Sequence, residues 1–515
     1  MDDSARIRVY LNDPAGRGDS LVSRDPPAAT DDGPWGFRVE GKVPEPRAYA
    51  PDTPEFLHWQ LAAALDRGKR LWTARLPGAG AWIPGPVLPA VPVAGRDLNA
   101  FYDRKALRFF RDVDEKTGAV VQSGESPDIA THEQGHAVLD AIRPDLWDAP
   151  HFEVAAFHEA FGDLAAIFVA LAEPAVAEAA IAATEDEPSR SNLVSRLAEE
   201  LGGAVRHLYG PEGALPGSLR DAVNPFAYED PRGLPDSAPA RALSAEPHSF
   251  CRVMSGACWD ALVAAYRAAS EDDRAVALAL AAETIARLGV AAAETAPSGA
   301  DFFGRFARRV VREAVLAGET SLADAIAQAF FRRRLLVGAQ VPPDLLPDED
   351  PDVTPPAEGE PPSPALVRAI DARLGTEGGG ELLLLGSRRA ASAAPAEGSG
   401  PRVLRGRRTR DLPLRGEEYG PADGASVTIS DAFSLGFGES GFLVASRMRP
   451  ASDRDATDAR AFVRHLVRTG RIAGEASTPD DPVRLARERK SHQVVLEPDG
   501  VRRLRRAWIA GDAAR

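Results

Sequence analysis

The stretch Asp128-Ile129-Ala130-Thr131-His132-Glu133-Gln134-Gly135-His136-Ala137-Val138-Leu139-Asp140 sets two histidines four residues apart in a run whose apolar residues have helical spacing. At 3.6 residues per turn His132 and His136 project from one face, so both imidazoles can reach one metal ion, while Glu133 between them points to the side where water would enter. With only nine histidines among 515 residues, chance is a poor source of this His-Glu-x-x-His spacing.

A hydrolytic zinc ion, the usual occupant of such a helix, needs a third protein ligand and one open position. The run Ala156-Phe157-His158-Glu159-Ala160-Phe161-Gly162-Asp163 supplies a candidate. Glu159 begins a second helical pattern whose apolar face includes Val154, Phe161, Leu164 and Phe168, and Asp163 follows one turn later on the same side. That carboxylate is placed to accept the outer N–H of a ligating imidazole, which fixes the tautomer and raises ligand basicity. Glu153 and His158 compete for the third position, but neither has an acidic partner four residues on.

These blocks resemble the thermolysin-like zinc metallopeptidases of the gluzincin group. Asp128 to Asp140 looks like that family's first zinc helix, and His158-Glu159-Ala160 through Asp163 looks like the block carrying its third ligand and supporting aspartate. Upstream, Asn99-Ala100-Phe101-Tyr102 is similar to the edge strand along which the family lays its peptide. Downstream, Ser218-Leu219-Arg220-Asp221 with Asn224-Pro225 and Tyr228 resembles the block with the substrate-binding arginine. His248, followed by Ser255-Gly256-Ala257-Cys258-Trp259-Asp260-Ala261-Leu262, resembles the segment with the catalytic histidine. The blocks occur in family order over about residues 97–337. The resemblance implies Zn²⁺ held by His132, His136 and Glu159, with Asp163 behind them. It implies hydrolysis of peptide bonds by water activated at zinc, with Glu133 as general base and His248 and Arg220 as donors to the oxyanion. Asn99 and the Ala100 backbone would hold the peptide or protein substrate as an added strand.

Two departures from the pattern shape the expectations. Arg252 stands three residues before the Ser-Gly pair, where the family has its histidine, and His248 lies four residues further upstream. One helical turn keeps His248 on the same face but shifts it by about 6 Å, so either the local loop compensates or Arg252 takes the role. No tyrosine lies between His136 and Glu159 to supply a hydroxyl, and His151 is the available substitute. These gaps motivate a rival reading, a zinc-binding scaffold of the same fold without turnover. An exported peptidase effector is a third.

The surrounding sequence predicts an α+β chain. Residues 1–96 mix strand-like pieces (7–11, 36–40) with one amphipathic helix over 53–72, and residues 97–337 form the mostly helical zinc-peptidase core, with helices near 127–142, 153–172, 191–208, 249–269, 272–290, 299–317 and 320–335. Residues 338–364 are acidic and proline-rich and read as an extended linker. Residues 365–515 then form a separate small α/β or α+β domain. It has a helix over 364–374, strands near 381–385, 426–430 and 441–446, a helix over 457–470 and a hairpin across Pro498-Asp499-Gly500. From residue 363 onward there are 26 Arg and Lys against 20 Asp and Glu, a local charge of +6 against -21 for the rest.

The overall charge of -15 gives no global positive field, so nucleic acid is not an expected partner. Apolar runs such as 164–171 and 275–282 fall short of a membrane span. The acidic start has no signal-peptide pattern, which makes the cytoplasm the default compartment. Cys251 and Cys258, seven apart on a predicted helix, are about 10 Å apart and cannot bridge. Sequence does not fix the oligomeric state.

Overall fold

A computed structural model describes residues 6–14, 21–28, 30–76, 81–336, 346–350, 353–356, 360–374, 381–389, 402–437, 443–477 and 479–510, and the statements below concern these. The N-terminal region contains β1 (Ile7–Tyr10), β2 (Leu21–Arg24), β3 (Gly36–Val39), α1 (Pro54–Arg75), β4 (Val87–Val91), β5 (Ala100–Tyr102), β6 (Leu107–Phe109), β7 (Arg111–Val113) and β8 (Val120–Gln122). The helical region follows with α2 (Pro127–Ile142), α3 (Phe152–Leu171), α4 (Pro174–Thr184), β9 (Arg196–Leu197), α5 (Glu199–Tyr209), β10 (Arg220–Asp221), α6 (Pro247–Ala268), α7 (Arg274–Thr295), α8 (Phe302–Leu316) and α9 (Thr320–Arg332). The C-terminal region contains β11 (Leu346–Asp350), α10 (Pro364–Leu374), β12 (Leu382–Arg389), β13 (Arg402–Pro413), β14 (Ser426–Phe437), β15 (Leu443–Arg449), α11 (Asp453–Arg468), β16 (Ile472–Ala476), α12 (Pro482–Arg487), β17 (His492–Leu496), β18 (Arg502–Arg506) and β19 (Ile509–Ala510). The class is mixed α+β.

Local chemistry explains where the two central helices begin. Ser126 caps α2 by accepting from the Ile129 N–H, and Pro127 fills the first helical position, where no N–H is needed. Every residue of α2 from Pro127 to Asp140, and every residue of α3, is buried. The two helices cross at glycines. A Cβ on Gly135 would stand 2.7 Å from Ala165 Cβ, and one on Gly162 would stand 2.6 Å from His132 Cε1, well inside the roughly 3.5–4.0 Å of an ordinary carbon–carbon contact.

α3 and α7 each hold an 18-residue window of mean hydropathy 1.6, enough by length and composition to cross a membrane. This corrects the expectation that the apolar runs are too short. The α3 window is wholly buried inside the protein and the α7 window is 56% buried, so both lie in or against the core.

Two expectations in the helical region also need correction. The single helix predicted over 191–208 is instead β9 followed by α5, because Ala198 has a left-handed φ of 51° and breaks the helix. α4 was not predicted at all. In the C-terminal region, residues 338–345 of the expected linker lie outside the described residues, and β11 pairs antiparallel with β15.

The N-terminal sheet has strand order β19-β5-β6-β4-β3, so residues far apart in sequence share one sheet. β3, β4 and β6 run parallel, while β5 is antiparallel to β6 on one side and to β19 on the other. A second junction is apolar: Phe152 and Ala155 of α3 share a buried cluster with Leu412, Val427, Phe462 and Leu466. Cys251 and Cys258 are buried free thiols.

Candidate metal centre

His132, Glu133 and His136 each offer a ligand atom, and these atoms lie within 4.8 Å of one another, all buried. The two imidazoles meet edge to face with ring centroids 4.6 Å apart. From α3, Glu159 reaches between them, its Oε2 3.5 Å from His132 Nε2 and 3.8 Å from His136 Nε2. Those three atoms are buried and make no ordinary hydrogen bond, an arrangement costly to a folded protein unless something else binds there. They could hold a metal ion.

Behind the His132 imidazole both oxygens of Asp163 are engaged. Asp163 Oδ1 stands 3.3 Å from His132 Nδ1 and accepts from Arg220 Nε (3.1 Å) and Nη2 (2.8 Å), while its Oδ2 accepts from Ser255 Oγ at 2.9 Å. Burial alone would raise the Asp163 pKa, but the Arg220 and His132 charges hold it far below the usual carboxylate range. Burial likewise works against charge on His132, and the nearby Asp163 and Glu159 carboxylates overcome this and push its pKa up to about 9. His136 goes the other way, driven well below its ordinary value by burial and by neighbouring histidine charge.

The shift of His248 in sequence is absorbed by the start of α6 at Pro247. His248, in the first turn, puts Nε2 3.2 Å from Glu159 Oε2, and its Nδ1 contacts the Glu246 carboxylate at 2.5 Å. Burial would lower its pKa, but Glu159 and Glu246 push it up to about 10. Arg252, the alternative, is committed elsewhere. It donates to the carbonyls of Ala240, Ala242 (2.6 Å) and Ser249 (2.9 Å) and lies over the Phe226 ring at 4.3 Å, which makes it a staple for the loop before α6.

Of the competing third ligands, Glu153 accepts from Tyr228 Oη and the Phe303 N–H, both at 2.7 Å. His158 packs edge-on against Trp147, its ring centroid 6.1 Å from that of His136. His151, the substitute for the missing tyrosine, is instead buried against Asp458 of α11 at 2.9 Å. Asn99 is buried with Oδ1 unpartnered, and Ala100 begins β5.

A cavity of about 190 Å³ opens beside Glu159, and its lining includes Arg220, His248, Arg506, Trp508 and Ile509. Three contributors escape a reading of the sequence. Glu246 could have been found, since Glu246-Pro247 is a helix-start signal. Ser255 supports Asp163 through a contact 92 residues away in sequence, and nothing local marks Arg506 to Ile509.

The Gly162 contact makes a prediction. Gly162→Ala should displace the His132 ring, lowering metal affinity about 10- to 100-fold and costing about 1–3 kcal/mol of stability. Chelator competition and denaturant unfolding measure the two effects, and unchanged affinity would show that the ring can move aside freely.

No family model and no curated protein matches this chain. Among solved structures, the precursor of protealysin, a metalloproteinase from Serratia proteamaculans, is similar with 16% identity and a TM-score of 0.37, the match covering 58% of this chain and 87% of that one.

Proposed function

We propose that this chain is a zinc-dependent metalloendopeptidase acting on a peptide or protein substrate. The observation that carries the reading is the convergence of His132 Nε2, His136 Nε2 and Glu159 Oε2, buried and without ordinary hydrogen bonds, with Glu133 beside them. Ligand atoms about 2.0–2.1 Å from a tetrahedral zinc stand about 3.3 Å from one another, close to the 3.5 and 3.8 Å separations from Glu159. When bound, zinc supplies Lewis acidity, making water acidic enough to lose a proton near neutral pH and polarising a carbonyl.

The side chains divide the remaining work. Glu133 takes the proton of the attacking water on a carboxylate oxygen and later delivers it to the leaving amine nitrogen. His248 Nε2–H donates to the carbonyl oxygen as it becomes negative, its proton held there by Glu246 on the far nitrogen. Arg220, anchored by Asp163, presents its guanidinium to the cavity and binds the peptide carbonyl. Asn99 and the Ala100 backbone orient an extended chain.

The test is metal analysis of the purified protein together with digestion of a peptide library. About one zinc per chain and defined cleavage products are expected, and a metal-free, inert protein would refute the reading. Within it, His248→Ala should lower kcat by about 10²- to 10³-fold with zinc content unchanged. Arg252→Ala should instead loosen the loop before α6 and lower stability. Wild-type turnover in His248→Ala would reassign the oxyanion donor.

A further inference from the structure

On the reading just given, β5 is where an extended peptide would be laid, and in this protein the outer side of β5 is already taken. Ile509 pairs with Tyr102 and Ala510 with Phe101, antiparallel. Without β19, β5 would be the sheet's edge, offering a row of N–H and C=O groups of the kind that captures peptides by strand addition. We propose that the segment Trp508–Ala510 is a built-in occupant of the peptide site, which keeps the full chain latent until that strand is displaced.

Position and anchoring both favour this. Trp508 and Ile509 line the same cavity as Glu159, Arg220 and His248, so the segment borders the candidate metal centre as well as the strand edge. The segment is also fixed from outside the pairing by its own C-terminal region. The Ala507 N–H donates to the Ser491 carbonyl and Trp508 Nε1 donates to the Lys490 carbonyl, both at 2.8 Å. Trp508 is buried beside Phe101 with ring centroids 5.8 Å apart, and Ile509 is 2% exposed. Among the described residues the pairing spans two positions, and a longer substrate strand can compete with a pairing of that length. A tethered competitor acts at an effective concentration on the order of millimolar, and occupancy of this kind raises apparent KM by the reciprocal of the open fraction without touching kcat.

The experiment uses the full chain and two variants of it, Ile509→Pro, which removes a strand donor, and the pair Trp508→Ala with Ile509→Gly, which removes the side-chain anchors. Three quantities are read: hydrolysis of an internally quenched peptide, amide exchange at Phe101 and Tyr102, and binding of the synthetic peptide acetyl-Arg-Ala-Trp-Ile-Ala-amide. The expected result is a KM at least tenfold lower in both variants with kcat and zinc content unchanged. Exchange at Phe101 and Tyr102 should be faster, and the added peptide should bind the variants and not the parent. If exchange shows the strand released while kcat/KM is unchanged or lower, β19 completes the site and the inference is overturned. If no form hydrolyses any peptide, the peptidase reading falls by itself. Strand occupancy then stands if the added peptide binds only the variants, and fails if it binds none.

Discussion

Glu133→Gln is expected to abolish peptide hydrolysis, with a loss of about 10³-fold or more, while about one zinc per chain remains. Glutamine has the same shape and fills the same fully buried position on α2, but it cannot take a proton, and general-base catalysis alone is worth about 10²- to 10⁴-fold. The measurement is informative because geometry alone leaves Glu133 close enough to both imidazoles to coordinate, within 4.8 Å. Zinc lost together with activity would make Glu133 a ligand and would require another base.

Glu159→Gln should have the complementary effect, with metal affinity falling more than a hundredfold. A site with three protein ligands has none to spare, and the neutral amide no longer balances the cation. Asp163→Asn, which leaves the ligands in place, should cost only about 10- to 100-fold, the scale for a group that orients a ligating imidazole. Competition with a chromophoric chelator ranks the two. If Glu159→Gln keeps metal while Glu153→Gln loses it, the third ligand has been misassigned. Binding should also release protons near neutral pH, since the carboxylates hold the His132 pKa up at about 9 and a ligating imidazole nitrogen must be free of its proton. Calorimetry in buffers of different ionisation enthalpy counts them.

The helices of the site were legible because their signals are local. Ser126, Pro127 and the 3.6-residue spacing give α2 its bounds of 127 and 142, as expected from sequence, and α3 starts one residue earlier than expected. α5 was misplaced because a residue with positive φ, Ala198, ends one pattern and begins another without a glycine to mark it. α4 went unassigned although Glu173-Pro174 is an ordinary helix start. The position of His248 could be judged only once the start of α6 was known, since a single helical turn decides whether it reaches Glu159. Pairings across hundreds of residues, β19 with β5 or His151 with Asp458, depend on how whole elements dock, and periodicity carries no record of that.

The complete burial of α3 has a consequence for biosynthesis. Its neighbours are made in sequence: α2 precedes it on the ribosome, but α6 and α8, which cover further faces, follow some 75 to 150 residues later, and Phe462 and Leu466, which close over Phe152 and Ala155, come last. At about 5–20 residues per second, roughly 15 to 60 seconds separate the emergence of α3 from that of its final cover. For that interval a segment apolar enough to enter a lipid bilayer is only partly shielded. Its own Glu153, His158, Glu159 and Asp163 are then the groups that disfavour insertion, so the residues assigned to hold and orient the metal also help to keep the nascent chain in water.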